Sequence, residues 1–150
     1  MSYIQISKLV PSSPSKVFAA LSQPEQLRDA WRGEVEVEVI SEGEKYQKGS
    51  EAIFRMTRFG ISQPLTLMVD EWSQPSLMTL KQTEGPFKYW NQKIKVEPHS
   101  ENNSLVTESV SYALPFGLFG NLADDLFIRA DLSRLLELHL DKLAEKLTES

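Results

Sequence analysis

The chain has 150 residues, a net charge of −5 with both signs scattered along it, and no cysteine. No basic stripe exists to meet nucleic acid or an anionic membrane, and disulfides and thiolate catalysis are excluded. Its 41% apolar and 25% charged residues are those of an ordinary globular protein, and one domain spanning 1–150 can bury about two thirds of its unfolded surface.

Residues 3–9 alternate weakly, Ile4 and Ile6 against Gln5 and Ser7, and read as a strand. Val10-Pro11-Ser12-Ser13-Pro14 is a turn in which Ser13 can cap a helix with Pro14 at its first position. Val17, Phe18 and Leu21 give that helix an apolar face, and Pro24 opens a second short helix that runs through Leu27 to Trp31. From Gly33 the period becomes two: Glu34-Val35-Glu36-Val37-Glu38-Val39 predicts a half-buried strand with valines inside. Turn-like segments follow at Glu42-Gly43-Glu44 and Lys48-Gly49. Further strands are expected at 51–59 (Ala52, Phe54 and Met56 on one face), 62–72 (Leu65, Leu67 and Val69), 77–84, 87–97 and 104–113. Gly60, Gln74-Pro75-Ser76, Gly85-Pro86 and the polar segment Pro98 to Asn103 separate them. Short turns between successive strands imply an antiparallel meander.

After Pro115 and a glycine-punctuated turn through Gly120, residues Asn121 to Ser150 run without Pro or Gly. A helix of roughly thirty residues would be about 40–45 Å long and needs a long apolar partner. A strongly twisted sheet wrapped around it is the available one. The fold class expected is therefore α+β: seven antiparallel strands gripping a long C-terminal helix, with two short helices after the first strand. The helix carries two apolar stripes, Leu122, Ala123, Leu126, Phe127 and Ala130, then Leu132, Leu135, Leu136, Leu140, Leu143 and Leu147. They point well apart, so a bend near Arg129–Asp131 or a shifted contact face is expected. Arg129 and Ser133 lie near the average inward direction, and His139 reads as a partly exposed helix residue, neither ligand nor base.

A long helix closing a curved sheet leaves room for a cavity, and polar residues fall on the inward faces. Glu108 shares a face with Val106, Val110, Tyr112 and Leu114; Gln92 shares one with Trp90, Ile94 and Val96; Gln82 shares one with Met78 and Leu80. An inward carboxylate is costly unless paired or hydrogen-bonded. Each glutamine alone is explained equally well by a hydrogen bond to the backbone. Together, Glu108, Gln92, Gln82 and Arg129 suggest a polar patch inside an apolar shell, the composition of a small-molecule site. The candidate ligand-binding residues are Glu108, Gln92, Trp90, Gln82, Tyr112, Phe54, Arg129 and Ser133, with Phe87 and Phe116–Phe119 placed to line a mouth.

No Ser–His–Asp arrangement, nucleophile elbow, phosphate loop or dinucleotide glycine pattern appears. With His99 and His139 as the only histidines, a multi-histidine metal site is impossible, and neither metal nor cofactor is expected. Catalysis, if present, would be proton transfer by Glu108 with Arg129 orienting a carbonyl. The start, Met1-Ser-Tyr-Ile-Gln, lacks the regions of a signal peptide, and no apolar run approaches ~18 residues, so a cytoplasmic protein without membrane insertion is expected. Nothing in the pattern fixes an oligomeric state.

The order of elements, the segment Gly85-Pro86-Phe87 leading to Trp90, and Tyr112-Ala-Leu-Pro115-Phe-Gly117-Leu-Phe-Gly120 resemble the START/Bet v 1-like superfamily, whose bacterial members are labelled polyketide cyclase/dehydrase or SRPBCC proteins. Leu126-Phe127-Ile128-Arg129 followed by Leu132 is similar to that group's closing helix. The resemblance covers essentially the whole chain. It implies a hydrophobic pocket between sheet and helix that takes lipids, sterols or polyketides, with cyclisation or dehydration in some members. In the subgroup an acidic residue matches Glu108, and a histidine is usual where this chain has Gln92. That departure favours binding over catalysis. The leading expectation is a non-enzymatic carrier or sensor of a small hydrophobic ligand. The alternatives are a cyclase/dehydratase-type enzyme using Glu108, or an interaction module with an incidental pocket.

Overall fold

The computed structural model describes residues 2–41, 43–114 and 122–148. The elements run β1 (Ser2–Val10), α1 (Pro14–Leu21), α2 (Glu25–Ala30), β2 (Glu36–Val39), β3 (Glu51–Arg58), β4 (Ile61–Ser73), β5 (Leu77–Glu84), β6 (Tyr89–Ser100), β7 (Asn103–Ala113) and α3 (Leu122–Thr148). The strands form one seven-stranded sheet in the order β1-β7-β6-β5-β4-β3-β2, antiparallel at every pairing. This is the expected helix-grip arrangement. The first two strands lie on opposite edges, and α1 and α2 make the crossing between them. Ser13 caps α1 by accepting from the Lys16 amide at 3.5 Å, with Pro14 in the first turn.

Two of the boundaries that differ from the sequence reading have a clear local cause. The strand expected from Glu34 begins at Glu36, because the amides of Glu34 and Val35 bond back to the Trp31 carbonyl at 2.9 and 3.0 Å. Those amides close the end of α2 and are lost to the sheet. The polar turn expected over 98–103 shrinks to Glu101-Asn102, with Asn102 in the left-handed region at φ 61°. Pro98 sits inside β6 opposite Ser104. It is tolerated because the pairing of β6 with β5 has already ended at Lys95.

The buried residues of β7 alternate strictly (Ser104, Val106, Glu108, Val110, Tyr112), as do Trp90, Gln92, Ile94 and Val96 of β6. Period-two alternation therefore places Gln92 and Glu108 on the concave face. α3 is one helix of 27 residues, and its buried positions among the described side chains are Leu132, Leu135, Leu136, His139, Leu140, Leu143 and Ala144. In the first apolar stripe Leu126 and Phe127 stay 59% and 69% exposed and Ala130 is exposed too, while the side chains of Leu122 and Ala123 lie outside the described ones. α3 leans chiefly on β1 and α2. Among the described residues no helix is long and apolar enough to cross a membrane.

Candidate functional site

A cleft of about 460 Å³ opens between the concave sheet, α2 and α3. Its walls are mostly apolar, with Leu65 and Leu67 from β4, Trp90 from β6, Trp31 at the end of α2, and Leu132, Leu135 and Leu136 from α3. That size falls within the ~300–1,000 Å³ of small-molecule pockets. Two side chains around α2 set how far α3 stands off the sheet. Trp31 Nε1 donates to the Leu135 carbonyl at 2.9 Å, and Gln26 Nε2 donates to the His139 carbonyl at 3.3 Å. Both hold the same turn of α3 and keep it off the far half of the sheet.

Four polar side chains join at the buried end of the cleft. Trp90 Nε1 donates to Gln92 Oε1 at 3.3 Å, and Gln92 Nε2 donates to Glu108 Oε1. From the opposite side His139 Nδ1 stands 3.2 Å from Glu108 Oε1 and 3.0 Å from Oε2. Glu108 is fully buried and His139 nearly so. The carboxylate is therefore bonded from both the sheet and the helix, which offsets its desolvation. The expectation that His139 is a partly exposed bystander is overturned. It follows Leu132, Leu135 and Leu136 by seven, four and three residues, so helical periodicity alone places it on the buried stripe.

The outer end is also charged. Arg58 at the end of β3 grips Asp131 of α3 with both terminal nitrogens, at 2.5 and 2.8 Å. Arg134 reaches the same carboxylate at 3.3 Å and Glu34 at 2.8 Å. The Arg58 hydrogen bond holds the Asp131 carboxyl below the ordinary carboxylate range, and Asp131 in turn raises Arg58. Next to Arg58, Phe59 and Gly60 make the two-residue turn into β4, both at positive φ (54° and 77°). The Phe59 ring is 84% exposed, with the Arg58 guanidinium carbon 4.9 Å from its centroid. Phe59 and Ile61 both border the cleft, so the mouth is greasy as well as charged.

Of the sequence-predicted residues, Glu108, Gln92 and Trp90 line the cleft together. Gln82 does not join them. Its amide donates to the Phe87 carbonyl at 2.7 Å and accepts from the Phe87 amide at 3.2 Å, stapling the 85–88 turn. Tyr112 is buried behind the wall against Phe87 and Trp90, at centroid distances of 5.9 and 6.3 Å. Phe54 is fully buried in the core. Arg129 is exposed and donates to the Tyr3 carbonyl at 2.8 Å; neither it nor the half-buried Ser133 is among the cleft residues. Glu108 pairs with His139 in place of Arg129. Of the expected mouth residues, Phe87 borders the cleft, and Phe116–Phe119 lie outside the described residues.

A protein-family model described as polyketide cyclase/dehydrase and lipid transport matches residues 1–148. The chain belongs to this family. Solved structures agree on the fold. A START superfamily protein from Mycobacterium smegmatis superposes with TM-score 0.70 at 15% identity, over 97% of this chain and 98% of that one. The ZhuI aromatase/cyclase from Streptomyces sp. R1128 gives 0.73 at 14%, over 97% and 92%. Norcoclaurine synthase from Thalictrum flavum, solved with dopamine and hydroxybenzaldehyde, gives 0.69 at 18%, over 99% and 87%. A comparison with curated proteins finds no match.

Proposed function

We propose that this member of the polyketide cyclase/dehydrase and lipid transport family binds a small, largely apolar molecule in the cleft between sheet and α3. One observation carries the reading: an apolar-walled space with Gln92, Glu108 and His139 joined at its buried end and Arg58 and Asp131 at its mouth. Apolar walls supply affinity, and a few placed polar groups supply orientation. The direct test is native mass spectrometry of protein purified from its own cells, with an apolar fluorescent dye titrated alongside. A co-purifying compound, or saturable dye uptake that Leu136→Trp abolishes in a folded variant, supports the reading. Empty protein that takes up no dye and captures another chain would favour an interaction module with an incidental pocket.

A second reading, acid–base chemistry on a polyketide-like substrate, is favoured by the imidazole seated on the Glu108 carboxylate. Histidine oriented by a carboxylate is a common proton-transfer unit. In that reading His139 takes the proton-transfer role that the sequence analysis gave to Glu108, and Glu108 orients it. Loss of turnover in Glu108→Gln, with ligand affinity changed only modestly, would support it.

A further inference from the structure

We propose that the open edge of β1 is a docking surface for a second copy of this chain, the two β1 strands pairing antiparallel about a two-fold axis at Ile6. The surface lies outside the cleft and is independent of any ligand held there.

The two edges of the sheet are built differently. β2 spans only Glu36–Val39 and turns Glu36 and Glu38 to solvent, and a short, charged strand resists pairing with another chain. β1 spans Ser2–Val10 and pairs with β7 over its whole length in one unbroken register. It contains no proline, and its one charged side chain, Lys8, is tied to Asp141 of α3 at 2.8 Å. A long, nearly uncharged edge without a bulge is a template for a further strand.

Two contacts fix which backbone groups this edge offers. The Val96 amide of β6 bonds to the Ser76 carbonyl, on the β5 side. In an alternating ladder Val106, opposite Val96, therefore turns its own groups toward β1. Lys8 faces Val106, so Lys8, Ile6 and Ile4 spend their amides and carbonyls on β7. Tyr3, Gln5, Ser7 and Leu9 turn theirs outward, and the Arg129 guanidinium seated on the Tyr3 carbonyl agrees with this. Among the described residues no other hydrogen bond reaches those outward groups.

A second copy fits because the edge is self-complementary. With Ile6 on the axis, Tyr3 stands opposite Leu9 of the second copy and Gln5 opposite its Ser7. All four are residues whose amides and carbonyls face outward, as hydrogen-bonded pairs require. Tyr3 and Leu9 are 52% and 51% exposed, and the pairing covers each with the other at both ends of the joined strands. Charge agrees with shape. α3 runs alongside β1, with Arg129 at Tyr3 and Asp141 at Lys8. The axis inverts that order, so Arg129 of each copy comes toward the end where the other carries Asp141. Such a contact is isologous and closes at two chains, leaving the charged β2 edges outside.

Sedimentation velocity of the full chain from about 1 to 500 µM tests this, with a dimer Kd on the order of 10–100 µM expected, at the weak end of specific interfaces. Tyr3→Lys combined with Leu9→Lys sets lysine against lysine at both outer pairs and should weaken association at least about tenfold. Tyr3→Lys combined with Leu9→Glu sets lysine against glutamate in the same register. It should return association to within about threefold of wild type, less so in high salt. Circular dichroism checks that each variant is folded. Hydrogen exchange of the wild type needs no variant: the amides of Tyr3, Gln5, Ser7 and Leu9 should slow as concentration rises, while those of Ile4, Ile6 and Lys8 are slow throughout. A wild type that stays monomeric over the whole range overturns the proposal. So does a lysine–lysine variant that dimerises like the wild type, a lysine–glutamate variant as weak as the lysine–lysine one, or outward amides whose exchange ignores concentration.

Discussion

The cleft has a charged cluster at each end, and the two are built on opposite terms. At the buried end, Glu108 receives bonds from Gln92 and His139 with no access to water. At the mouth, Asp131 receives Arg58 and Arg134 where side chains are 21–47% exposed. A carboxylate in low dielectric depends on every partner, whereas one near water is screened and can trade partners for solvent. At the buried end every partner of the carboxylate therefore counts. The mouth is a clasp holding the end of β3 to α3 beside exposed Phe59 and Ile61.

The largest effect expected from this contrast is at the buried end. Glu108→Ala strands the His139 Nδ1–H and the Gln92 amide, and urea denaturation should report a loss of about 3–5 kcal/mol. The double change Glu108→Leu with His139→Phe removes the charge along with its principal partner and should recover most of that loss. A double variant no better than Glu108→Ala would break the account of the pair. Next is Gly85→Ala. An added Cβ would lie 2.3 Å from Gln82 Oε1 and 2.9 Å from Leu65 Cδ1. The clash would push Gln82 off the Phe87 backbone, at a cost of about 1–3 kcal/mol read by thermal unfolding.

At the mouth, Asp131→Asn should cost only about 1 kcal/mol, and less in high salt. Its pH dependence has a definite sign. The carboxyl is held below its ordinary value in the folded state. Its contribution is therefore fully present above the unfolded pKa of about 4 and disappears as pH falls through the lowered folded value. The stability gap between wild type and variant should be flat from neutral pH down to about pH 5 and close only in stronger acid. A gap that closes near neutrality would contradict the assignment. Smallest is Phe59→Asn, which relieves an aromatic residue from positive φ in a turn suited to Asn-Gly. It should raise stability by about 0.5–1 kcal/mol, seen as a small rise in Tm, and weaken uptake of apolar ligands if the exposed ring serves the mouth.

Much of the buried end was legible in the chain. Period-two alternation put Glu108 and Gln92 on inward faces of neighbouring strands, and they do touch. His139 is legible too, through its spacing from Leu132, Leu135 and Leu136, although the sequence analysis reads it as partly exposed. Arg129 and Ser133 were misplaced for a different reason. Averaging two apolar stripes gives a direction away from the buried stripe of Leu132, Leu135, Leu136, Leu140 and Leu143, and Leu126 and Phe127 remain exposed. Gln82 had the right face and the wrong neighbourhood, since three residues before Gly85 its amide meets the turn backbone first.

Local periodicity and turn chemistry by themselves determined the individual strands, the antiparallel succession from β2 to β7 and the inward carboxylate, because each depends on residues close in sequence, which the pairing of β1 with β7 does not. Tertiary structure alone decided that Glu108 meets His139, 31 residues away, and that Trp31 and Gln26 hold α3 at the distance that leaves a cleft. Those outcomes depend on where a helix axis lies relative to a curved sheet, a distance set by packing from α2 that no periodicity along α3 encodes.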